Sequence, residues 1–198
     1  NIGKTITLSL GGETHKWVGN DATNPTFWDT VTTNWSSTDN KFYNGDSITF
    51  DDTANSYTVA LQSTYSPFSI VFNNTTNPYV VTSAAATGIS GSTGIIKNGT
   101  NALTLGGSDS NFTGTVAVNA GLLNLANQKS LGQSSGITVA SNARVNLSGQ
   151  SSGALATGRY SWTIAGDAGD GAGGEGPLTN TGAAAAGDTG LQNRTPSA

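Results

Sequence analysis

Short apolar pairs with one small or polar residue between them recur along the chain. One series reads Ile48/Phe50, Ile70/Phe72, Ile95, Val116/Val118, Ile137/Val139 and Trp162/Ile164, and a second reads Val59/Leu61, Val80, Leu103/Leu105, Leu123/Leu125 and Val145/Leu147. The i, i+2 spacing within each pair is the period of a strand with one buried face. Within either series the pairs return every ~20–25 residues, the repeat range of stacked solenoid coils. No window carries apolar residues at i, i+3, i+4 and i+7 over several turns, so helices are not expected. The pattern predicts an all-β, parallel β-helix with two principal strands per coil.

The breaks between pairs support this reading. Asn73-Asn74, Gly91, Gly106-Gly107, Gly114, Gly121, Gly132, Gly136 and Gly149 follow the short strands, and Gly and Asn are the residues that tolerate left-handed turn conformations. Three regions are expected. Residues 1–46 hold a strand at Thr5–Leu10, ending at Gly11-Gly12, and an aromatic-rich stretch with Trp17, Phe27, Trp28, Trp35, Phe42 and Tyr43 that reads as an N-terminal cap. Residues 47–165 hold the coils. Residues 166–198, rich in Gly and Ala, read as a loop or tail, with any next strand lying beyond Ala198.

Composition narrows the class further. Charged residues make up 10% of 198, Gly numbers 27, and the net charge is -4 with no Lys or Arg cluster. Nucleic acid and anionic membranes demand a basic stripe, so neither is an expected partner. No run approaches the apolar length of a bilayer span, and membrane insertion is not expected. Cys and Met are both absent, the latter even at position 1, so Asn1 reads as the product of processing, with an export signal removed or simply not shown.

Residues 94–126 contain Lys97-Asn98-Gly99-Thr100-Asn101-Ala102-Leu103-Thr104-Leu105-Gly106, then Asn111-Phe112-Thr113-Gly114-Thr115, Val116, Val118 and Gly121-Leu122-Leu123. This segment resembles the autotransporter-associated β-strand repeat, K-x-G-x-G-x-L-x-L-x-G followed by N-x-Y-x-G-x-T-x-V-x-x-G-x-L. Asn101 stands in place of the second Gly, and Phe112 in place of Tyr. Trp17-Val18-Gly19, Trp28-Asp29, Asn34-Trp35, Asn44-Gly45-Asp46 and Phe50-Asp51-Asp52 look like the leader joined to such repeats. The resemblance covers about residues 17–165. It implies a right-handed β-helix of the bacterial passenger type, displayed on the cell surface or released. No β-barrel translocator follows within the 198 residues, so the expectation is either a fragment or another export route.

Candidate chemistry is sparse. Asp51-Asp52 is the one adjacent acidic pair, but neighbours on a strand point to opposite faces, so turn residues closing the strand are expected rather than a glycosidase pair. His15 is the sole histidine and lacks a Gly-x-Ser-x-Gly partner motif; an ordinary surface histidine is expected. Asp167, Asp170 and Glu175 match neither the EF-hand nor the nonapeptide calcium spacing, and read as an acidic linker. Sequons at Asn34, Asn73, Asn74, Asn98, Asn111, Asn146 and Asn193 read as turn or ladder asparagines. The expectation is therefore no catalytic, cofactor or metal site, and a non-enzymatic extracellular scaffold that self-associates head-to-tail, with Thr5–Leu10 as a candidate contact strand. The alternatives are an adhesin that stacks a surface glycan on Trp17, Trp28, Trp35 or Tyr43, and a polysaccharide-degrading β-helix enzyme.

Overall fold

The computed structural model describes residues 12–148, 160–165 and 177–179. Their fourteen strands, numbered along the chain, form two seven-stranded parallel sheets with no helix. The first holds β1 (Thr14–Lys16), β3 (Ser47–Asp51), β5 (Ser69–Asn73), β7 (Ile95–Lys97), β9 (Val116–Val118), β11 (Ile137–Val139) and β13 (Trp162–Ile164). The second holds β2 (Phe27–Trp28), β4 (Thr58–Leu61), β6 (Tyr79–Ser83), β8 (Ala102–Leu105), β10 (Gly121–Leu125), β12 (Ala143–Asn146) and β14 (Leu178–Thr179). Odd and even strands alternate between sheets, so each coil contributes one strand to each. This is a parallel β-solenoid.

Register converts the sequence period into columns. On the first sheet His15, Ile48, Ile70, Ile95, Val116, Ile137 and Trp162 lie one above another. Beside them runs Phe50, Phe72, Lys97, Val118, Val139 and Ile164. The facing sheet stacks Val59, Val81, Leu105 and Leu125 in one column and Tyr79, Leu103, Leu123, Val145 and Leu178 in another. Leu147, following the Asn124-paired Asn146, continues the Leu125 column and is fully buried. Each such aliphatic side chain contributes about 1.5–3 kcal/mol by leaving water.

Three expectations require correction. Val80 is not inward: it is 37% exposed, while Tyr79 and Val81 face the core. Tyr79 takes the inward place because its ring packs on Phe50, Phe72 and Tyr57 while its hydroxyl donates to the Asp51 carbonyl at 2.7 Å. A one-residue slip in strand phase reverses every side chain, and three consecutive bulky residues hide the phase. Ile164 pairs above Val139 but is exposed, since β13 is the outermost strand of its sheet among the described residues. Finally, residues 166–198 are not wholly loop or tail, because Leu178–Thr179 pairs with Val145–Asn146 as a further rung.

The aromatic N-terminal stretch is a full coil rather than a lid alone, since β1 pairs with β3 and β2 with β4. Trp17, Trp28, Trp35, Phe42 and Phe50 fill its interior. Trp17 meets Trp35 edge-on at 5.1 Å, Trp28 meets Phe42 edge-on at 5.4 Å, and Phe50 stacks on Phe72 at 4.6 Å. Tight corners complete the coils. A Cβ on Gly99 would lie 2.0 Å from the Asn74 carbonyl oxygen, and Gly121 combines a φ of 72° with a space 2.6 Å from the Thr100 oxygen. Only glycine fits both places.

Candidate binding cleft at the first coil

Strand alternation places His15 inward at the head of the Ile48 column, where it is 3% exposed. This corrects the expectation of a surface histidine. Parallel pairing of β1 with β3 brings it to Asp46, the residue before β3, with Nε2 3.3 Å from Asp46 Oδ2 and 3.8 Å from Glu13 Oε2. Asp46 is itself buried and fixed: Oδ1 accepts the Glu13 N–H at 3.1 Å and Oδ2 the Tyr43 N–H at 2.7 Å. The turn between Tyr43 and Asp46 is made possible by Gly45, whose φ is 95°.

Tyr43 is half exposed, and its hydroxyl donates to Asp39 Oδ2 at 2.7 Å. Asp39 Oδ1 accepts from Ser37 Oγ at 2.9 Å and from Lys41 N–H at 3.1 Å. The Tyr43 hydroxyl, then Ser37, hold the Asp39 carboxyl below the usual range, and the same bond to Asp39 raises the Tyr43 phenol. Asp39 is thus a carboxylate and Tyr43 a neutral phenol at physiological pH. Together with Glu13, His15, Asn44 and Asp46 these residues line a cleft of about 590 Å³. Chemically it offers hydrogen-bond acceptors, one aromatic side chain and a negative field.

The other sequence candidates are not brought together. Asp51 receives Lys16 Nζ at 2.6 Å and the Thr53 N–H and hydroxyl, joining the first two coils. Asp52 accepts the N–H groups of Thr75, Thr76 and Asn77 from the next coil at 2.8–3.1 Å. Burial opposes charge on both, yet these bonds outweigh it and hold both carboxyls below the ordinary value. Seven of the twelve acidic residues lie between Glu13 and Asp52. Those with resolved bonds anchor loops, as Asp21 does by accepting the N–H groups of Thr23, Asn24 and Thr33.

Trp17, Trp28 and Trp35 are wholly inside, so of the four aromatics weighed for glycan contact Tyr43 alone presents a surface. Asn34 and Asn74 are buried with their amides donated to backbone carbonyls. Asn73, Asn98 and Asn119 form an amide ladder at 3.0 and 2.8 Å, and Asn146, Asn124 and Thr104 a second at 3.1 and 3.4 Å. Asn111 is exposed. Thr5–Leu10, Asp167, Asp170, Glu175 and Asn193 lie outside the described residues.

One residue entered the sequence reading only as the first position of the repeat, with no structural role assigned. Lys97 is 0% exposed, set in the core column between Phe72 and Val118. Its Nζ donates to the Gly99 carbonyl and, at 3.3 Å, to that of Ala120, clasping two successive corners. Burial pushes the amine down to about 8. The i, i+2 spacing from Ile95 already places it inward, so the signal was present in the pattern.

Among the described residues, no group of three His, Cys, Asp or Glu is placed to hold a metal ion, and no helix is long and apolar enough to cross a membrane. No protein-family model, no curated protein and no solved structure matches this chain.

Proposed function

We propose that the chain is a non-enzymatic structural scaffold acting outside the cell or at its surface, a β-helical block of the passenger type whose coils stack end to end in self-association. The observation that carries this reading is where its polar side chains are used. The Asn73–Asn98–Asn119 ladder, the Asp52 clamp on the next coil and the Asp51–Lys16 bridge all join one coil to another. Buried or strand-flanking polar groups that pair along a stack rigidify it and specify its register. Such a distribution serves a rigid column of backbone better than it serves turnover of a substrate.

The test combines location and chemistry. Antibodies to the purified chain should label intact producing cells or the culture medium. The purified chain should release no reducing ends from a panel of plant and bacterial polysaccharides. Confinement to the cytosolic fraction, or measurable release of reducing ends, overturns the proposal.

A further inference from the structure

We propose that the cleft beside Tyr43 is a saccharide-binding site that accepts neutral or amine-bearing sugars and rejects acidic ones. The inference goes beyond the scaffold reading and does not depend on it, since a chain that binds no sugar still serves as a scaffold. Four observations meet at this place. The cleft measures about 590 Å³, inside the range of about 300–1,000 Å³ typical of small-molecule sites. Tyr43 is 50% exposed, and the bond from its hydroxyl to Asp39 fixes the ring before any ligand arrives. A preset aromatic face suits the apolar face of a pyranose, because little side-chain freedom is lost on contact.

The polar groups around that ring supply the rest. The side chain of Glu13 is 72% exposed and that of Asp39 lies beside Tyr43, so both offer acceptor oxygens to sugar hydroxyls. Asn44 uses its Oδ1 on the Ser66 N–H at 2.8 Å, which leaves its amide hydrogens as donors. Three carboxyl side chains, Glu13, Asp39 and Asp46, line the cleft against one imidazole, His15. That field attracts an ammonium and repels a uronate.

Isothermal titration of the full chain at about pH 6, with cellotetraose, chitosan tetramer and tetragalacturonate as probes, tests the proposal. Chitosan tetramer and cellotetraose should bind saturably, the former more tightly, with tetragalacturonate at least tenfold weaker than either. Tyr43→Ala should weaken binding by about tenfold at an unchanged melting temperature. Phe68→Ala, an exposed ring that does not line the cleft, should leave binding as it was. Glu13→Gln should narrow the advantage of the chitosan tetramer over cellotetraose. The proposal is overturned if neither favoured probe binds at 10 mM, if Tyr43→Ala binds like the parent, or if tetragalacturonate binds as well as the others.

Discussion

Replacing Lys97 with Met should change the pH dependence of stability more than stability itself. Met nearly preserves the volume between Phe72 and Val118, so packing is little disturbed. What changes is the proton. In the fold the amine titrates at about 8, against an ordinary lysine value of about 10.4 in the unfolded chain. A base whose folded value is lowered is one the fold prefers neutral. Between the two values the unfolded chain binds more protons, so stability rises with pH across that window and is lowest below it. The difference is worth about 3 kcal/mol in all, and roughly 2.5 kcal/mol of it is regained between about pH 7 and about pH 10.

Met removes that dependence but also removes the donor to the Gly99 and Ala120 carbonyls, a loss of about 1–3 kcal/mol at each. Near neutrality the two effects offset, and the variant should melt close to the parent. Urea unfolding followed by tryptophan fluorescence, at several pH values for both proteins, separates them. The parent should gain about 2–3 kcal/mol relative to Lys97→Met as pH rises from about 7 to about 10. The raised phenols of Tyr65 and Tyr79 are common to both proteins and cancel in the difference. A difference that stays flat across this range would refute the reasoning, because the amine would then titrate alike in both states.

Leu125→Ala should destabilise the stack by about 2–5 kcal/mol in the same urea assay, since its side chain is fully enclosed between Leu105 and Leu147. Gly121→Ala combines a left-handed backbone with a collision against the Thr100 oxygen; a loss of about 2 kcal/mol or more is expected, and an unchanged melting temperature would contradict the corner geometry. Asp52→Asn removes a charge held low by three N–H donors of the next coil. The parent should therefore lose stability as pH falls from the ordinary carboxylate value through the lowered folded one, and circular dichroism during acid titration should show the variant losing less over that interval.

The period was legible because parallel in-register pairing repeats the same inward positions coil after coil, as Ile48, Ile70 and Ile95 do. Phase failed where neighbouring residues were equally apolar: nothing local in Tyr79-Val80-Val81 says which two face inward, and the rings of Phe50 and Phe72 decide it. The first-coil cleft was not legible. His15 and Asp46 are 31 positions apart in the chain and meet only through the pairing of β1 with β3. That Tyr43 is exposed while Trp17, Trp28 and Trp35 are buried is a tertiary outcome that composition does not announce.

The bore of the stack is filled unevenly. Among the described residues, Trp17, Trp28, Trp35, Phe42, Phe50, Tyr65, Phe72 and Tyr79 crowd the first coils, while beyond Lys97 the column is mostly Leu, Ile, Val and Ala, with Phe112, Tyr160 and the partly buried Trp162 as its rings. In a solenoid each coil leans only on its neighbours, so local strength follows local filling. Heat or a mechanical pull will therefore unzip the molecule in one direction, shedding the aliphatic turns first and leaving the ring-packed end folded as the seed from which the remainder winds back.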